Sequence, residues 1–140
     1  MILVDTGAWL ALVDGRDAYH ARCNAFFQGN REPLIPTYPV LVECVHLMFR
    51  QIGVTKTLVW VETLSKQGVG VFVMRAHHLS RLAELMRQYV DLPMDLADAS
   101  LVLLAEEYGE GRIVSTDQRD FHTYRWKNQF PFRNLLLEQG

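Results

Sequence analysis

The chain has 140 residues, of which 49% are hydrophobic and 21% charged, and a formal net charge of −2. This is the length and mix of about one ordinary globular domain with a real core, which excludes disordered and fibrous classes. No basic excess advertises a polyanionic partner, although a local basic rim can coexist with an acidic centre. No apolar run approaches the roughly 20 residues that a membrane span needs.

Ile2 to Asp5 reads as the first strand, a continuous apolar run of the kind covered on both faces. Thr6 is placed to cap a helix carrying Trp9, Leu10, Leu12 and Val13, which Asp14-Gly15 ends. Asp5 and Asp14 break the apolar start, so no signal-peptide pattern is expected. Asp17 is placed to cap the next helix, with Ala21, Ala25 and Phe26. Pro33 and Pro36 bracket a short strand at Leu34-Ile35. Helices are predicted over Pro39–Gln51, ended by Gly53, and over Thr55–Lys66, closed by Gly68. Val69–Met74 alternates as a strand, and Leu79, Leu82, Leu85, Met86 and Tyr89 recur at helical spacing within Ala76–Val90. Pro93 precedes a helix over Asp95–Tyr108, ended by Gly109 and Gly111, and Ile113–Thr116 is a strand. The tail, with Phe130, Phe132, Leu135 and Leu136, adds an edge strand or packs on the sheet. Alternation of this kind predicts one α/β domain over 1–140 with a mainly parallel sheet.

Four carboxylates stand where apolar segments stop or are interrupted. Asp5 closes the first strand, Glu43 interrupts Pro39–Val45, Asp98 opens the run Leu96–Ala105, and Asp117 ends Ile113–Thr116. Strand ends in an open α/β sheet share one crevice, and converging acids repel unless a cation neutralises them, which points to a divalent metal. Oxygen-only donors suit Mg²⁺ or Mn²⁺. Each acid has a plainer reading. Asp95 serves best as the cap of its helix, Asp98 favours the positive end of the helix dipole, and Asp117 can cap the turn through Asp120. Glu43 is explained least well by these roles. Its helix is apolar almost all round, as in a helix buried in a core, and Glu43, His46 and Arg50 form one narrow polar stripe. The five histidines lack zinc spacing, and Cys23 and Cys44, without a CxxC partner, read as reduced core thiols of a cytosolic protein.

In order, Ile2-Leu3-Val4-Asp5-Thr6, Val42-Glu43, Leu92-Pro93-Met94-Asp95-Leu96-Ala97-Asp98-Ala99 and Ser115-Thr116-Asp117-Gln118-Arg119-Asp120-Phe121 resemble the PIN-domain nucleases, especially the VapC-type toxins. The resemblance spans almost the whole chain. It implies a three-layer α/β/α fold with a mainly parallel central sheet and a metal-dependent endoribonuclease activity with Mg²⁺ or Mn²⁺. It places Asp5, Glu43, Asp98 and Asp117 in the acidic pocket, with Asp120 as the alternative fourth acid and Asp95 as an outer acid. Thr6 and Thr116 become polar neighbours, and Glu43 either binds metal or orients the attacking water. Arg50, Arg119 and Arg125 are candidates for RNA phosphates. The resemblance further implies an RNA substrate, a small antitoxin partner, a homodimer and a cytoplasmic location. A PIN-like RNA-binding or RNA-processing module without a toxin role is the alternative. A haloacid-dehalogenase-like phosphatase would need a second aspartate at position 7, where Gly7 stands. A receiver domain needs paired acids at its first strand.

Overall fold

Ile2, Leu3 and Val4 form β1 (Ile2–Val4), and all three are buried although successive side chains point to opposite faces of a strand. Both faces of the sheet are therefore covered there, the α/β/α arrangement expected. The structure is a computed structural model that describes residues 1–137, so the last three of the expected 1–140 span lie outside the described residues. β1 is flanked by β2 (Leu34–Ile35) and β3 (Arg112–Val114), while β6 (Arg133–Asn134) closes the far edge. The order is β2-β1-β3-β6, every neighbouring pair is parallel, and Leu3 pairs with Ile35 on one side and Ile113 on the other.

From β1 the chain passes through α1 (Thr6–Val13) and α2 (His20–Gly29) to β2. It reaches β3, on the other side, through α3 (Tyr38–Gln51), α4 (Val54–Lys66), α5 (Leu79–Gln88) and α6 (Leu96–Tyr108). The chain thus turns to opposite sides of β1, and the crevice beyond the C-terminal ends of β1 and β3 is the topological switch point. Helix α6 is the core helix, with Leu101, Val102, Leu103, Leu104 and Ala105 all buried. It ends at Gly109, whose φ of 65° is left-handed backbone that favours glycine. A hydroxyl pair ties α6 to α3. Thr37 Oγ1 accepts the Val40 N–H and lies 2.7 Å from Ser100 Oγ, which donates to the Ala97 carbonyl. With the Ser100 proton so used, Thr37 is the donor between them.

Several expectations need correction. Asp5, not Thr6, caps α1, because β1 stops at Val4 and the Asp5 carboxylate accepts the Thr6 N–H. Asp17 shapes the turn before α2 by accepting the Tyr19 N–H, and the helix starts only at His20. The Val69–Met74 strand shrinks to one parallel bridge between Phe72 and Thr37. Phe72 is pinned beside His78 and Tyr108 and donates its N–H to Pro36, just past the end of β2, where no further partner strand runs. The Ala76–Val90 helix is a 3₁₀ turn (Ala76–His78) followed by α5, since His78 Nδ1 accepts the Arg75 N–H and tightens the first turn. Nor is α3 buried all round. Only Val40, Cys44 and Met48 are, while Tyr38, Val42 (68% exposed) and Phe49 face outward. With Leu41, Val45, Trp60, Val61 and Leu64 they form an apolar cleft of about 620 Å³ between α3 and α4.

The sequence reading also missed α7 (Asp120–Thr123) and a hairpin of β4 (Arg125–Trp126) and β5 (Phe130–Pro131), whose turn places Lys127 and Asn128 at φ 53° and 54°. The predicted edge strand of the tail is β6, and its Asn134 side chain carries the pairing beyond the strand. Asn134 accepts the Ser115 and Leu136 N–H groups and donates to the Ser115 carbonyl. Asn134→Ala leaves both main-chain groups of buried Ser115 without these partners, and a buried unmet group costs about 1–3 kcal/mol. Urea unfolding is expected to register a loss of at least that size.

Candidate active site

Asp5 leaves β1 at the switch point, and its N–H donates to the Val114 carbonyl of β3 at 3.0 Å. Its carboxylate is 7% exposed and held by neutral donors. Oδ1 accepts the Thr6 N–H at 2.7 Å and Oδ2 the Ser115 hydroxyl at 2.9 Å. The same Ser115 oxygen accepts the Asp117 N–H, so a short chain of hydrogen bonds links the ends of β1 and β3. Burial pushes the Asp5 carboxyl up from 3.8 to about 7, against the pull of those donors, and the Asp117 and Glu43 charges add to the rise.

Asp98 comes from the first turn of α6. Its backbone N–H donates to Asp95 Oδ1 at 2.8 Å, so Asp95 is the helix cap, as the sequence suggests. The Asp98 side chain is thereby left for another partner, and its Oδ2 accepts the Tyr124 hydroxyl at 2.8 Å. Burial, with the Asp5 and Asp95 charges behind it, pushes Asp98 up to about 8. Glu43 is half-buried on α3 and raised by burial first and then by Asp95, with Thr6 working in the opposite direction. Thr6 Oγ1 is buried and close enough to Glu43 to lower it, yet among the described residues it has no partner at full hydrogen-bond geometry.

The four acids named from the sequence therefore face one region, but Asp117 and Asp120 divide the fourth position. Asp117 Oδ1 accepts the N–H groups of Arg119 and Asp120, each at 2.8 Å, which is the capping role weighed for it. Its charge still reaches Asp5. Asp120 pairs with Arg119 at 3.0 Å, and its charge reaches Asp98. Thr116 adjoins α1, where a Cβ at Gly7 would lie 2.2 Å from its Oγ1. Among the basic candidates, Arg119 stands at the rim. Arg125 Nη1 donates to three carbonyls, of His122, Thr123 and Tyr124, and Arg50 is exposed two turns along α3 from Glu43. No local pattern marks Tyr124, because its contact crosses 26 residues. Ser115 likewise acts across the sheet, on Asp5, 110 residues away.

Among the described residues no three His, Cys, Asp or Glu side chains stand close enough together to hold a metal ion as they are placed. Asp5, Asp98 and Asp117 each accept neutral N–H or O–H donors. The donor set nevertheless fits a hard divalent cation: it is all oxygen, Asp5 and Asp98 are starved of positive charge, and the Thr6 hydroxyl lacks a partner at full hydrogen-bond geometry. Beside Glu43 and Asp95 opens a cleft of about 660 Å³ walled by Tyr38, Val42, Met74 and Leu96.

A parallel sheet with buried Asp5 and half-buried Asp98 beyond its strand ends defines an α/β domain with an acidic crevice at its switch point. Residues 2–127 match the PIN domain model, and the chain belongs to the PIN-domain family. It is 26% identical over 124 residues to ribonuclease VapC26 of Mycobacterium tuberculosis, covering 89% of this chain and 92% of the relative. It is similar in fold to the crystal structure of VapC20, a sarcin–ricin-loop-cleaving toxin of the same organism. That match has a TM-score of 0.78 at 20% identity and covers 85% of this chain and 92% of the other.

Asp5 and Asp98 bind protons more tightly in the folded chain than in the unfolded one. Their contribution is thus fully present below about pH 4 and is lost as pH rises through about 7 to 8. In metal-free buffer, Asp5→Asn is expected to gain melting temperature relative to the unsubstituted protein as pH rises across this window. A difference in melting temperature that does not change between pH 4 and pH 8 would contradict the assignment.

Proposed function

We propose that this chain is a metal-dependent endoribonuclease of the VapC type, one nuclease domain acting in the cytoplasm as the toxin of a toxin–antitoxin pair. The observation that carries it is the meeting of buried Asp5 and half-buried Asp98 at the switch point, with neutral donors alone on their carboxylates among the described residues. The relative VapC26, named a ribonuclease, supports RNA as the substrate. Mg²⁺ or Mn²⁺ would be held by Asp5 and Asp98, with Glu43 and Asp117 beside them and Asp120 as the alternative to Asp117.

A bound divalent ion supplies positive charge for the scissile phosphate and makes water easier to ionise. Glu43, raised by burial, orients the attacking water and takes up its proton. The water oxygen bonds to phosphorus, the bond to the leaving ribose oxygen breaks, and that oxygen takes its electron pair and picks up a proton from solvent. Arg119 at the rim contacts a neighbouring phosphate. The Ser115 hydroxyl holds Asp5 in place throughout.

The exposed apolar face of α3 and α4 supports a protein partner, since soluble monomers rarely leave such patches bare. In this reading the chain forms a homodimer and is silenced by a small antitoxin. Among the described residues no helix is long and apolar enough to cross a membrane.

Purified protein is expected to cut RNA with Mg²⁺ or Mn²⁺, to stop in chelator, and to lose at least about 100-fold in rate in Asp5→Asn and Asp98→Asn. Equal cleavage by the substituted and unsubstituted proteins would sink the assignment, and RNA binding without cleavage would favour the non-catalytic module. Expression alone is expected to arrest growth, with rescue by the small protein encoded beside it. Harmless expression of an active nuclease would instead indicate RNA processing. Light scattering should give twice the chain mass, and a monomer would remove the dimer from this reading.

A further inference from the structure

Tyr124 is 0% exposed, and a phenol so buried must find a partner for its hydroxyl. The partner is Oδ2 of Asp98, at 2.8 Å. The ring that carries the hydroxyl is fixed from several sides. Tyr89 and Phe121 stand edge-on to it, with centroids at 5.0 and 5.1 Å, and the Tyr124 N–H donates to the Asp120 carbonyl at the end of α7. Tyr89 is in turn held by its own hydroxyl, which accepts the Arg125 N–H.

Asp98 has less restraint of its own. A carboxylate in the first turn of a helix can fold back onto the free N–H groups there. Asp95 already occupies that role, accepting the Asp98 N–H. Tyr124 then takes one Asp98 oxygen.

We infer that Tyr124 is a positioning residue that fixes the Asp98 carboxylate through Oδ2, keeping it turned toward the pocket where, with Asp5, it would help hold a divalent cation. This rests on the metal-dependent reading above. The hydroxyl touches neither RNA nor cation; it removes the rotation by which Asp98 could turn away. Partners of this kind, which orient a metal-binding carboxylate, are typically worth roughly 10–100-fold in metal affinity or activity.

Tyr124→Phe keeps the ring and deletes only the donor. Mn²⁺ affinity, measured without RNA by the paramagnetic resonance of free Mn²⁺, is expected to weaken roughly 10–100-fold. In cleavage assays at limiting Mn²⁺, kcat should fall while KM for RNA stays at its starting value, and higher Mn²⁺ should recover much of the loss. Tyr89→Phe loses a hydroxyl from the same aromatic cluster but not from Asp98, and is expected to bind Mn²⁺ normally even if its melting temperature drops. Tyr124→Phe combined with Asp98→Asn should bind no worse than Asp98→Asn alone. Unchanged Mn²⁺ affinity in Tyr124→Phe, or equal weakening in Tyr89→Phe, overturns the positioning role and leaves the nuclease reading intact. A starting protein that binds no Mn²⁺ overturns both.

Discussion

The structure depends on keeping several carboxylates close together, partly out of water and without a lysine or arginine on the two deepest. Asp5 and Asp98 meet that constraint with neutral donors: the Thr6 N–H and Ser115 hydroxyl on one, the Tyr124 hydroxyl on the other. A guanidinium in the same place would have satisfied the acids permanently. Neutral donors hold a carboxylate in position while leaving its charge uncompensated. Burial raises both acids well above their ordinary range, so the pocket retains a deficit of positive charge.

The scaffold around the pocket serves that constraint. The switch between β1 and β3 brings Asp5 and Ser115 together, and Asn134 of β6 extends the sheet by a side chain to fix Ser115. On the helical side, the Thr37–Ser100 pair sets the start of α3 against α6, and so sets Glu43 in relation to Asp98. Ion pairs sit away from Asp5 and Asp98. Arg112 joins Glu32 and Glu110, Arg81 joins Glu84 and Glu106 near the C-terminal end of α6, and Arg119 pairs with Asp120.

Much of this was legible in the sequence because it is local. The run Ile2-Leu3-Val4 names a strand covered on both faces, the alanine and leucine pattern names α6, and Asp95 before that run names its cap. The acids could be picked out because each interrupts or closes an apolar segment. Long-range or geometric features were not legible. The Tyr124–Asp98 and Ser115–Asp5 bonds cross 26 and 110 residues, and no spacing signals them. Val69–Met74 has the alternation of a strand but no partner strand beside it beyond Phe72. The apolar surround of Glu43 was read as core, whereas α3 turns a good part of that surface outward. A hydrophobic pattern records that a face avoids water, not whether the chain itself covers it.

The parallel pairing of β1 with β3 has a consequence for the order of synthesis. Asp5 is made well before the serine that holds it, which lies 110 positions later, and the asparagine that holds that serine comes later still. Until that serine is in place, the Asp5 carboxylate has the adjacent Thr6 N–H but not its second donor. Contacts of such separation form late in folding. A chain that stops before Ser115 therefore keeps Asp5 but lacks one of the two donors that hold its carboxylate.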